Sequence, residues 1–237
     1  MTCPNWTKRS ASLAISALMA ACAIGPEPPD WKSNASSASE RFVDAWLVGD
    51  TRIEQVEVER AREQTARTGL PDVVARIELL RCATRVASLV AEPCTGFEAL
   101  RDALAAGPET AYADYLAGNF SREQVSSLPK TQREVATALL SDAGGAAAGA
   151  QRYAGLVRAI DDPLSRLVAA GVLFKANRAG DDVVNLAVDT ASAQGWRRPL
   201  LAWLLVQARR AEAAGRTGEA ETARQRIELV APKRPSK

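Results

Sequence analysis

The sequence predicts an all-α protein, and three observations carry the prediction. Apolar residues beyond Ser39 recur at helical spacing, as in Val73, Ile77 and Leu80 flanked by Arg76 and Arg81, the mark of an amphipathic helix. The alternation of a half-buried strand is absent, and β-branched residues fall mainly at core spacing within stretches rich in Ala, Glu and Arg, which favour helix. Glycine and proline breaks then cut the chain into segments of helical length at Gly49-Asp50, Gly69-Leu70-Pro71, Gly107-Pro108, Gly144-Gly145, Gly180, Gly195 and Gly215.

The first element, residues 1–21, is different in kind. Lys8 and Arg9 precede an apolar run from Ala11 to Ala21, and small residues close it; together these make a secretory signal. The run is too short to span a bilayer, which takes roughly 20 apolar residues, and Gly25-Pro26-Glu27-Pro28-Pro29-Asp30 cannot continue a helix. Met19-Ala20-Ala21-Cys22 resembles the lipobox of a bacterial lipoprotein precursor. That resemblance implies cleavage before Cys22, acylation of its sulfur and new amino group, and, with Ala23 rather than Asp following, delivery to the outer membrane. Several acyl chains on one residue would anchor the protein firmly, each buried methylene contributing about 0.8 kcal/mol. Residues 22–38, rich in Pro, Ser, Asn and Ala, read as a disordered tether.

Residues 39–130 form an N-terminal helical region, with helices expected over Ser39–Leu47, Thr51–Thr68, Pro71–Val90, Gly96–Ala106 and Glu109–Ala117. Thr95 and Glu98 have the spacing of a capping box. By that resemblance Cys3 would leave with the signal and Cys22 would be acylated, so Cys82 and Cys94 remain as an even pair for an oxidising compartment. Cys82 lies on an apolar stripe with Leu79, Val86 and Leu89, and Cys94 in the turn Glu92-Pro93-Cys94-Thr95-Gly96. A helix ending near Val90 rises about 12 Å beyond Cys82 at 1.5 Å per residue. Four further residues at about 3.3 Å each can return that distance, so a disulfide is permitted; the other reading is two separate thiols, with Cys82 packed as a small apolar residue.

Residues 131–231 carry helices expected over Thr131–Asp142, Ala146–Ile160, Pro163–Ala179, Asp181–Gln194, Pro199–Ala214 and Gly218–Val230, before a tail at 232–237. Pro163, Pro199 and Pro232 punctuate this half at similar intervals. Gly215-Arg216-Thr217-Gly218-Glu219-Ala220, followed by Ile227 and Pro232, resembles the turn and second helix of a tetratricopeptide repeat, with Leu204, Ala208 and Ala211 at core positions of the first helix. The pair around Ala179-Gly180-Asp181-Asp182 and the pair from Gln132 to Pro163, with Val135, Leu139, Ala150 and Tyr153 at core positions, match more loosely. The resemblance implies antiparallel helix pairs stacked as an α-solenoid; an irregular helical bundle is the other reading.

Composition excludes much chemistry. Histidine is absent, which removes Ser-His and Cys-His nucleophile pairs and histidine metal sites. Lys8 and Arg9 are the only charges before Cys22, so the remaining chain balances 28 basic against 28 acidic residues and offers no footprint for nucleic acid. Ser127-Leu128-Pro129-Lys130 matches S-x-x-K, but the sheet domain and K-T-G strand such enzymes use have no counterpart. Asp161-Asp162 and Asp181-Asp182 read as helix caps, and Trp196-Arg197-Arg198 as a tryptophan at a helix junction with solvated arginines. No catalytic site, metal or cofactor is expected.

The leading expectation is an outer-membrane lipoprotein, on the periplasmic face, whose helical repeats serve as scaffold or adaptor for an envelope protein. Its groove, lined by the first helix of each pair, would present Arg133, Leu140, Phe174, Asn177, Arg178, Leu205 and Arg209. The alternatives are a periplasmic carrier of a small apolar ligand, marked by an apolar cavity between the N-terminal helices and the repeats, and a cell-wall hydrolase working through two carboxylates converging in a cleft.

Overall fold

The computed structural model describes residues 29–141 and 146–231, with side chains outside 142–150. The lipobox, Cys22 and the first part of the expected tether lie outside the described residues, as do the Gly144-Gly145 turn and the tail. Within them the protein is all-α, with helices α1 (Asp30–Val48), α2 (Thr51–Ala66), α3 (Pro71–Ala87), α4 (Thr95–Glu98), α5 (Pro108–Ala117), α6 (Lys130–Ser141), α7 (Ala146–Arg158), α8 (Pro163–Lys175), α9 (Asp181–Ala193), α10 (Arg197–Ala213) and α11 (Thr217–Val230).

Helix α1 corrects the tether. It starts at Asp30 rather than Ser39, so residues 30–38 are helical. Ala35, Ala38, Phe42 and Ala45 are buried at helical spacing, while Ser33, Asn34, Ser36 and Ser37 all face outward. Averaging over composition hides a one-sided stripe made of alanines. Gly49 then takes φ 96° and accepts the chain reversal, a conformation that favours glycine; the Asp50 carboxylate accepts the Ile53 N–H at 3.0 Å to start α2. The hairpin closes on a small core of Ala38, Phe42, Val58, Ala61 and Ile77.

Three other boundaries also differ from expectation. Helix α3 stops at Ala87 because Leu89 adopts the left-handed region at φ 56° and the Val90 N–H turns back to the Arg85 carbonyl at 2.9 Å. Helix α8 stops at Lys175 in the same way, with Asn177 at φ 55° and the Arg178 N–H on the Leu173 carbonyl at 2.8 Å, the pattern of a Schellman end. The helix expected over 96–106 is one turn, α4, followed by a 3₁₀ turn at Arg101–Ala103. Its capping box does not form: Cys94, not Thr95, is the N-cap residue, and the Glu98 carboxylate pairs forward with Arg101 at 2.7 Å. What fixes this segment is covalent and apolar, the Cys82–Cys94 disulfide with Cα atoms 5.7 Å apart and the fully buried Phe97.

Helix α8 is the centre of the main core. Leu167 through Leu173 are all buried, so α8 is apolar on every side, and α3, α5, α6, α7 and α9 pack around it. Asp162 caps it, accepting the Ser165 N–H at 2.7 Å, with Pro163 in its first turn. The pairs α8–α9 and α10–α11 stack in sequence through α9 on α10, and Leu204, Ala208, Ala211 and Ala220 are buried there. The N-terminal helices are not a separate unit: α3 lies on α8, and α1 touches α10. A Cβ added at Gly171 of α8 would overlap the Val86 carbonyl of α3, and the Trp203 indole N–H of α10 donates to the Ala87 carbonyl at 3.0 Å.

Candidate functional site

The covering of α8 and α10 decides what the expected groove can be. Phe174 is half-buried, its ring packed edge-on against Trp203 with centroids 5.8 Å apart, at the margin of the main core. Asn177 is exposed but is committed to the left-handed end of α8, and Arg178 is half-buried beside it. Leu205 and Arg209 are exposed on α10, Leu140 is half-buried on α6, and Arg133 is half-buried near the start of α6, bonded to the Leu128 carbonyl. The seven expected positions are therefore a mixture of exposed, half-buried and packed side chains rather than a uniformly open lining.

Arg133 belongs to an open hollow of about 490 Å³ between α3, α5 and the start of α6, within the usual size of a small-molecule site. Helix α3 supplies Arg76, Leu79 and Leu80; α5 supplies Pro108, Glu109 and Tyr112; Ser127, Leu128, Pro129, Lys130 and Arg133 close the third side. Each wall follows from local sequence. Pro108 opens α5 at its first position, which places Glu109 and Tyr112 one turn apart on one face. Pro129 ends the 3₁₀ turn at Val125–Ser127 and its carbonyl accepts the Gln132 N–H at 2.9 Å to begin α6. Below the walls, the Tyr115 hydroxyl donates to Gln132 Oε1 at 2.9 Å, and Gln132 Nε2 donates to the Ser165 carbonyl at 3.0 Å, which ties α5, α6 and α8 together with buried polar groups satisfied.

The floor is apolar and the rim is basic. Leu79 and Leu128 are buried under the hollow. At the rim Arg76 pairs with Glu109 at 2.8 Å and Asp72 at 3.3 Å, whereas Lys130 and Arg133 make no ion pair among the described residues. Arg133 instead donates Nε–H to the Leu128 carbonyl at 2.8 Å, which orients its guanidinium across the opening. Burial, with a smaller contribution from the negative charge of Asp162, raises the Tyr112 hydroxyl well above the ordinary phenol value, so it stays a donor at neutral pH. Ser127 and Lys130 share this rim, and no hydrogen bond joins them.

Buried acids lie in a second cluster, and arginine engages each one. Glu54 has no exposed surface and pairs with Arg81 at 2.9 Å and Arg85 at 2.8 Å; its Oε2 accepts no hydrogen bond among the described residues. Glu57 pairs with Arg41 at 2.9 Å and Glu78 with Arg62 at 2.9 Å. Arg85 and Arg198 lie 3.6 and 3.7 Å from the Trp46 ring centre, so the indole is sandwiched, and Arg198 also reaches the Thr51 hydroxyl at 2.9 Å. Burial lowers the pKa of both guanidinium groups. Arg198 is thus a tie between α10 and the first hairpin rather than a solvated arginine. Of the two Asp pairs, Asp162 caps as expected, while Asp181 bridges to Arg216 at 2.8 Å and Arg210 at 3.3 Å.

Sequence reasoning put Arg133 on a groove of the repeats, whereas it lines the hollow against α3 and α5, whose apolar floor sequence reasoning missed. A usable signal was present: Leu80 stands one turn from Arg76 and next to Leu79, wider than a helix buried on one side needs. Among the described residues no group of three His, Cys, Asp or Glu side chains is placed to hold a metal ion, and no helix is long and apolar enough to cross a membrane. No family model, curated protein or solved structure matches this chain.

Proposed function

We propose that the protein is a lipid-anchored binding protein of the bacterial envelope that holds an apolar guest in the groove between α3, α5 and α6. The observation that carries this reading is that α3, packed on α8, borders an open hollow with an apolar floor between itself, α5 and the start of α6. The hollow lies between the N-terminal helices and the repeats, where a carrier of a small apolar ligand needs it. Acylation at Cys22, expected from the lipobox resemblance, would hold this body at the outer membrane, a source of apolar guests. An adaptor for an envelope protein is the second reading, favoured by Leu205, 44% exposed beside Arg209 on α10.

The full chain carrying Cys22→Ser, which cannot be acylated and needs no detergent, tests the first reading with the uncharged fluorophore N-phenylnaphthylamine. Saturable binding at one site is expected, weakened about tenfold by Pro129→Glu, because an added carboxylate must be desolvated at the apolar rim. Arg178→Glu with Arg209→Glu should leave it unchanged. Fluorophore binding that follows the α8 and α10 variants instead would favour the adaptor reading.

A further inference from the structure

We infer that the groove takes a single-chain alkyl carboxylate, with the chain over Leu128 and the head group on Lys130 and Arg133; the inference rests on the groove being the binding site proposed above. The chemistry of the guest follows from what the rim leaves unpaired. Of the three cations lining the hollow, Arg76 is already neutralised by Glu109 and Asp72. Lys130 and Arg133 have no carboxylate partner among the described residues, and they lie one turn apart, as neighbours on one face of α6. Both occupy the start of that helix, where no acidic residue is present and where the macrodipole disfavours positive charge. An anion between them relieves both effects. The Arg133 Nε–H is spent on the Leu128 carbonyl, which leaves its terminal N–H groups for a carboxylate.

The volume, about 490 Å³, is that of a small-molecule site. An uncharged apolar guest would leave Lys130 and Arg133 unanswered, and a cationic one would meet repulsion. A lone carboxylate without a chain would leave the apolar floor wet.

Titration calorimetry on the full chain with Cys22→Ser tests this with decanoate, dodecanoate, decanol, decyl phosphate and decyltrimethylammonium, each below its micelle concentration. Decanoate should bind about tenfold more tightly than decanol, as one charge-assisted hydrogen-bonded pair supplies. Dodecanoate should gain about fifteenfold over decanoate from two further buried methylenes. Lys130→Gln with Arg133→Gln should erase the preference for decanoate and leave decanol unchanged. Equal binding of decanol and decanoate would overturn the head-group assignment while leaving an apolar site in place. Decyl phosphate binding more tightly than decanoate would overturn the carboxylate. If no ligand binds, both this inference and the groove reading fall.

Discussion

Glu54 and Arg85 are the residues on which charge and burial conflict most. A carboxylate without exposed surface is stabilised only while its arginines hold it, and one of its oxygens already lacks a partner. Glu54→Leu alone should therefore lower stability by about 3–5 kcal/mol, because Arg85 stays buried against Trp46 without its counter-charge. Adding Arg85→Met should recover most of that loss, since an apolar pair of similar volume is often neutral or better. Urea unfolding of the two single variants and the double variant measures the coupling; additive losses would mean that the pair does not act as a unit. None of this was legible in the sequence. Glu54, Glu57, Arg81 and Arg85 look like ordinary polar positions on amphipathic helices, and only the packing of α2 against α1 and α3 brings them together. The reverse holds for Asp162, whose capping role needs only its own helix and was readable.

At the scale of elements, what the sequence showed and what it hid divide along local and non-local forces. The breaks at Gly49, Gly69, Gly107, Gly195 and Gly215 are local chemistry, and helices end at or beside all of them. Leu89 and Asn177 also end helices in the left-handed region, but neither is glycine, so both were read as helix interior. The early start of α1 was hidden because its buried stripe is mostly alanine, weak in any hydrophobic average yet sufficient where helices approach closely. The contact of α3 with α8 is the sharpest case of such approach. Gly171→Ala would gain about 1 kcal/mol in helix propensity at an open site, but here the new methyl meets the Val86 carbonyl, and overpacking costs about 1–3 kcal/mol. A net fall in thermal stability is expected. A rise would show that α3 stands farther from α8 than described and that the covering of the repeats is loose.

For the whole molecule, the stacked pairs α8–α9 and α10–α11 are what the repeat-like spacing pointed to, while the position of the N-terminal helices was not readable at all. Nothing in a linear pattern says that α3 will lie on α8, and that placement sets its Arg76, Leu79 and Leu80 beside α5 and the start of α6. Arg133 lines the hollow beside α3 and α5, whereas Phe174 is half-buried against Trp203. Helix α11 exposes Glu221, Thr222, Arg224, Gln225 and Glu228 together with Leu229, which is 85% exposed.

Hydrogen–deuterium exchange of the full chain with Cys22→Ser, with and without dodecanoate, addresses the central claim most directly. Protection is expected at residues 76–80, 108–112 and 127–133, with 174–178 and 205–209 unchanged. Protection confined to 174–178 and 205–209 would contradict the account and return the working surface to the face of α8 and α10.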